Sequence, residues 1–351
     1  MARGNLDAFM ATMVAHEVAV DVADVEKLAR THYGLNGTAT RLTGERDENF
    51  KLSCVDGAQY VLKLANAAEN ASSGDLPIAA LLHLERVDPR FPCPRVVRTR
   101  EGDTQCWYEN GSGARRATRV LTYMPGKTLR SSTRSRAQRI AYGRMAARLG
   151  LALRDFTHPA ASRPLIWDLR HVGKTLQLLG ELPDLAERDT IAGLIERIEM
   201  LLVIRFQRLR QQVIHNDLND QNVLVDPADE TVITGVIDFG DLVHTALVAD
   251  VAIVAADQIV EAPGAGGGAF GSVRDSIADI VMAYHDITPL QPMELVLLNP
   301  LIAGRILSDI LITSWHRRRN PTGAHYSDLE PAVIRARVRL ASELLATDMP
   351  L

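Results

Sequence analysis

The chain has 351 residues, 46% of them hydrophobic and 23% charged, with a formal net charge of −4 at pH 7. That length accommodates two domains, and the near-neutral charge lacks the electrostatic footprint of a nucleic-acid binder or of a protein held on an anionic membrane. Three scattered cysteines, Cys54, Cys93 and Cys106, are too few for a disulfide framework or a zinc site and read as reduced thiols of a cytoplasmic protein.

At the start of the chain, His16, Glu17 and Asp21 interrupt any apolar core, so no signal peptide is expected. Residues 7–33 carry a helical spacing of apolar side chains (Val18, Val22, Val25, Leu28, Ala29), which Gly34 stops. A three-strand meander follows over residues 40–42, 49–55 and 59–64, with Asp56-Gly57 as a hairpin turn. Lys63 sits in the third strand behind Val61-Leu62, the setting of a phosphate-pairing lysine. The turn at 43–49 would lie over the phosphates, with Arg46 and Asn49 adding side-chain donors to the backbone. It holds one glycine, Gly44, and is not the glycine-rich loop of protein kinases.

A helix at 76–85 leads to strand-like stretches at 91–97, 107–108 and 119–124, closed by Pro125-Gly126. The backbone of Thr122, Tyr123 and Met124 is then the expected hinge facing a nucleotide base. Beyond it the pattern turns helical, over 139–156, 185–212, 247–260, 273–284, 292–316 and 331–346. The apolar window 242–260 contains His244, Asp250 and Asp257, which favours a buried helix over a membrane span. The expected fold is α+β and bilobal, with a small antiparallel β-rich lobe over 1–124 and a larger, mainly helical lobe over 125–351.

The densest chemistry lies at 213–241. Apolar flanks Val213-Ile214 and Val223-Leu224-Val225 enclose a loop carrying His215, Asp217 and Asn222. A second strand at 232–237 then delivers Asp238-Phe239-Gly240. Phosphoryl transfer needs one carboxylate to take or orient the acceptor's proton, and an amide and a second carboxylate to hold the cation on the nucleotide phosphates. Asp217 and Asn222 have the D-x-x-x-x-N spacing, and Asp238 heads a D-F-G triplet. Asp217 is the expected general base, Asn222 and Asp238 the magnesium ligands. His215 supports the loop, and Asp250 is expected to brace it through backbone donors. Asn219, Asp220 and Asp241 read as turn residues.

Two motifs are decoys. Gly126-Lys127-Thr128 lacks the upstream glycine of a P-loop, since Leu121 stands there. Residues 266–271 fit G-x-G-x-x-G but follow Ala262-Pro263 rather than a strand, and read as a loop.

With these residues in place, the chain resembles the aminoglycoside phosphotransferase and choline kinase-like superfamily over nearly its whole length. Several phrases are similar to the hydroxylysine kinase-like branch: Glu45-Arg46-Asp47-Glu48-Asn49-Phe50, Leu62 through Ala67, His158-Pro159-Ala160 with Trp167-Asp168-Leu169, and Gly240 through Thr245. The resemblance implies transfer of a nucleotide γ-phosphate to a hydroxyl of a small, often amine-bearing molecule, with Mg2+ as cofactor and ATP or GTP as donor. It departs at the helix that usually supplies a glutamate to the strand lysine: Pro77 and its neighbours stand there, with Glu69 and Glu85 as the nearest acids. No Ala-Pro-Glu segment follows Asp238, and Asn216 replaces the arginine that reads a phosphorylated loop, which speaks against a protein kinase.

The acceptor is the least constrained element. Arg305 or Arg317 would suit a substrate carboxylate, and Trp167, Asp168 and Trp315 are pocket candidates. A hydroxylysine-like amine or amino acid is the first expectation. An antibiotic O-phosphotransferase and a catalytically silent nucleotide-binding protein are the alternatives.

Overall fold

A computed structural model describes residues 20–42, 44, 47–66, 71–109, 115–182, 186–257, 270–320 and 329–347. The chain forms two compact units, Met1–Pro125 and Gly126–Leu351.

In the first unit, β1 (Gly37–Leu42), β2 (Glu48–Cys54), β3 (Gln59–Leu64), β4 (Val96–Val97), β5 (Cys106–Glu109) and β6 (Arg115–Thr122) build one antiparallel sheet in the order β1-β2-β3-β6-β4, with β5 also on β6. Alternation dictates its inner face: Phe50 and Leu52 of β2 and Leu62 and Leu64 of β3 are fully buried, while Lys51 and Lys63 between them project to the other side. Each such side chain contributes about 1.5–3 kcal/mol by leaving water. Asp56 closes the β2–β3 turn by accepting from the Ala58 N–H at 3.0 Å.

The inner face is covered by α1 (Val22–Leu28) and a π-helical turn (Ala29–Tyr33), from which the Tyr33 hydroxyl donates to the Thr118 carbonyl at 3.0 Å. Val18 and the rest of the expected first helix before residue 20 lie outside the described residues. The next helix, α2 (Ala71–Val87), is longer than its sequence signal. The expected start is residue 76; the helix begins at Ala71, so Pro77 stands inside it.

The second unit holds two small sheets. Lys127–Thr128 forms β7, which pairs with β9 (Val223–Val225), itself paired with β10 (Ile233–Val236). The P-loop decoy is therefore a strand, entered through Gly126 at φ +133, where an added Cβ would lie 2.6 Å from the Thr234 hydroxyl. The second sheet pairs β8 (Gln211–Ile214) with β11 (Val243–Ala246).

This second pairing corrects two expectations. The helix expected through 212 is α4 (Arg188–Arg205), followed by a short 3₁₀ turn and then β8. The apolar window expected to be one helix splits into β11 and α5 (Val248–Asp257). In both places a long-range strand partner overrides local helical preference.

Around these sheets pack α3 (Arg136–Ala152), α6 (Phe270–His285), α7 (Pro292–Arg319) and α8 (Pro331–Leu345). α7 is long and apolar enough to cross a membrane, but 78% of its most apolar window is buried inside the protein. It is the central core helix of this unit. Of the glycine-rich stretch, residues 266–269 lie outside the described residues and Phe270-Gly271 opens α6.

Candidate active site

β8 runs into the loop that carries His215, Asn216 and Asp217, and β9 starts directly after Asn222. The β9–β10 pairing extends one step further, because the Ile237 N–H donates to the Asn222 carbonyl at 2.9 Å. Asn222 and Asp238 therefore leave the same end of the hairpin as neighbours. Among the described residues, Asn216 (φ 65) and Asp238 (φ 59) are the non-glycine residues with positive φ, and both lie here. Backbone held in this sparsely populated region costs free energy and concentrates at functional sites.

The Asp217 carboxylate, with its side chain 25% exposed, is gripped from several directions. Asn219 Nδ2 donates to Oδ1 at 2.8 Å, and Asn222 Nδ2 donates to Oδ2 at 2.7 Å and to the Asp217 carbonyl at 2.9 Å. Arg305 Nη2, from the middle of α7, reaches Oδ1 at 3.2 Å. Its guanidinium lies 4.4 Å from the centre of the Trp167 ring. Asn219 carries a contact that its turn-like sequence did not announce; its place two residues after the base was the one available signal.

Behind the loop, Asp250 in the first turn of α5 accepts from the His215 N–H at 3.0 Å and the Asn216 N–H at 2.8 Å. Burial dominates this carboxyl and the two N–H groups only partly offset it, so its pKa is pushed up to about 6. His215 is fully buried, which holds its pKa below the usual value and keeps the imidazole neutral. A neutral ring matches its bonds: Nε2 lies 3.1 Å from the Ile237 carbonyl, and Nδ1 accepts from the Asp217 N–H at 3.3 Å. The Phe239 ring packs edge-on against it, with centroids 4.9 Å apart.

Other sequence candidates in this unit fall elsewhere. Asp168, 2% exposed, caps the 3₁₀ stretch Leu169–Glu181 by accepting from the Arg170 N–H at 3.0 Å, and takes the Thr245 hydroxyl at 2.9 Å. It is a structural acid. Trp315 is buried, with Arg319 of the same helix 4.6 Å from its ring centre. Arg317 lies twelve residues beyond Arg305 on α7, about 18 Å along the axis. Of the five acceptor candidates, Arg305 and Trp167 are the two gathered at Asp217.

In the first unit, Lys63 of β3 stands in register with Asn49 of β2 and Arg119 of β6. Lys51 Nζ lies over the Tyr123 ring at 4.2 Å. The expected hinge is partly engaged within the sheet. The Thr122 N–H donates to the Arg95 carbonyl at 2.9 Å and the Tyr123 N–H to the Gln59 carbonyl at 3.1 Å, so neither donor faces a base. Arg46, like Glu69, lies outside the described residues. Glu85 sits exposed near the far end of α2.

The model of the phosphotransferase enzyme family matches residues 38–276, the span that runs from β1 through this loop and into α6. The chain belongs to that family. Among curated relatives of this phosphotransferase, hydroxylysine kinase of Mus musculus is 26% identical over 307 residues, covering 81% of this chain and 79% of the relative. Homoserine kinase of Methylobacillus flagellatus is 28% identical over 257 residues, covering 73% of this chain and 71% of its own. A solved amicoumacin kinase, in complex with AMP-PNP, Ca2+ and Ami, superimposes with a TM-score of 0.70 at 14% identity, covering 92% and 94% of the two chains. The fold is thus the α+β, bilobal, protein-kinase-like one.

The phosphotransferase's own residues fit a hard divalent cation. Asn222 turns its Nδ2 toward Asp217, which leaves its amide oxygen free of that contact at the hairpin end it shares with Asp238. One amide and one carboxylate oxygen are too few to close a coordination sphere. Among the described residues, no group of three or more His, Cys, Asp or Glu side chains could hold a metal. Such a site is completed by oxygens that arrive with the phosphates.

Proposed function

We propose that this phosphotransferase is a small-molecule kinase that moves the γ-phosphoryl group of ATP or GTP to the hydroxyl of an amine- or amino-acid-type acceptor of hydroxylysine-like kind. The observation that carries the reading is the Asp217 carboxylate, partly exposed and oriented by the amides of Asn219 and Asn222. Asp217 accepts the acceptor's hydroxyl proton as the new O–P bond forms, while the bond to the leaving diphosphate breaks. Asn222 and Asp238 would hold Mg2+, which offsets the charge of the phosphates when bound. Lys63, with Asn49 beside it in register, serves the phosphates, and Asp250 and His215 keep the loop in place. The substrates after which the relatives are named, hydroxylysine and homoserine, are both hydroxyl-bearing amino acids, which favours that acceptor class.

The same reading makes the enzyme cytoplasmic and independent of nucleic acid and membrane. Its cysteines are not in disulfides, and burial pushes the Cys93 and Cys106 thiols up to about 11. The deciding experiment is a panel of hydroxyl acceptors, aminoglycosides included, with each donor. Asp217→Asn should lower kcat on the accepted substrate by about 10²–10⁴-fold. Its nucleotide affinity should stay within a few-fold of wild type. An unchanged kcat would remove Asp217 from the role of base.

A further inference from the structure

Arg305 stands out from the other arginines of α7. Its side chain is 11% exposed, its Nη2 is on Asp217 Oδ1, and its guanidinium lies over the Trp167 ring. Its Nη1 is buried without a hydrogen-bond partner among the described residues. A guanidinium carries a rigid fork of donors, and a buried donor left unmet is unfavourable. The group that best fills such a fork is a carboxylate, whose two oxygens match it side by side. At present Arg305 shares an Asp217 oxygen with Asn219, so donors already occupy the oxygen that the acceptor's hydroxyl would need.

Resting on the kinase reading above, we infer that Arg305 selects acceptors bearing a carboxylate, and that this carboxylate replaces Asp217 on the guanidinium, so that binding the correct acceptor releases the base. The approach is from the Asp217 side, where that carboxylate is a quarter exposed. An arriving carboxylate takes Nη2 first, and a small rotation of the guanidinium over Trp167 brings Nη1 into the same fork. An alcohol without a carboxylate leaves Arg305 on Asp217. Selectivity and base release are then one event, and the acceptor class is the hydroxy amino acid rather than the simple amino alcohol.

The test compares matched acceptors with the whole chain: hydroxylysine against 2-hydroxycadaverine, and homoserine against 3-amino-1-propanol, each pair differing by the carboxylate alone. Wild type should favour the carboxylate-bearing member by about 10²-fold or more in kcat/KM. Arg305→Met keeps apolar packing on Trp167. It should cut that preference at least tenfold, by raising KM for the amino acid and by raising kcat for the amino alcohol, whose base is no longer held. An amino-alcohol kcat that stays as low as in wild type overturns the base release. Arg305→Lys, which keeps the charge and loses the fork, should fall between. If both members of a pair lose activity by the same factor, Arg305 serves Asp217 or the phosphoryl group, and the inference is overturned. A wild type with no preference overturns it as well. Transfer to none of the four acceptors with either donor would be a failure of the kinase reading. Calorimetric binding of hydroxylysine to wild type and to Arg305→Met then still decides the carboxylate site, since equal affinities would sink it.

Discussion

Around Asp217, neutral amides and one cation divide the carboxylate between them, and the acid behind the loop has the opposite problem. Asp250 is buried, and burial is what raises its pKa to about 6 from an ordinary value of 3.8. The native state therefore favours its protonated form. Its ionisation weighs against folding above about pH 6, and that penalty is relieved as pH falls through 6 toward 4. A change of this size corresponds to about 3 kcal/mol. Asp250→Asn cannot titrate, so its stability deficit relative to wild type should widen as pH is lowered from 7 to 4. Chemical denaturation at several pH values measures it, and a deficit constant with pH would show that Asp250 ionises normally in the fold. Asp217, Asn222 and Asp238 were legible because their spacing is local and a hairpin turns it directly into proximity. The Arg305–Asp217 contact spans 88 residues, and no local pattern encodes it.

At the scale of elements, legibility followed the range of the pairing. β1, β2 and β3 announce themselves through alternation and an Asp-Gly turn. β8 and β11 form only through each other, with Ile214 opposite Val243, 29 positions on; Gln211-Gln212 and the start of the 242–260 window read as helix, and Val213-Ile214 only as an apolar flank of the loop. Helix packing was equally silent in the sequence. α3 and α6 cross closely at Gly143, where an added Cβ would lie 2.3 Å from the Ile280 carbonyl oxygen and 3.1 Å from its carbon. Backbone cannot yield as a flexible side chain would, so the helices must move apart. Gly143→Ala, harmless or favourable in an isolated helix, should destabilise the protein by about 1–3 kcal/mol. A melting temperature equal to or above wild type would show that the crossing is loose.

For the whole molecule, linkage ties ligand binding to stability. A ligand that binds the native state alone stabilises it by RT ln(1 + [L]/Kd), about 2.7 kcal/mol at a hundredfold excess over Kd. With Asn222 and Asp238 supplying only two oxygens, cation and nucleotide should bind each other's complex better than either binds alone. Mg2+ or nucleotide added singly should shift the melting temperature little, and the two together should raise it by several degrees. Asp238→Ala should lose that joint increment, whereas Asp217→Asn, which touches the proton and not the cation, should keep it. Running ATP beside GTP in the same series ranks the donors without any acceptor present. A full shift with nucleotide alone, undiminished by a chelator, would detach Asn222 and Asp238 from metal binding. The two oxygens would then have to be explained as structural partners of the Asp217 loop.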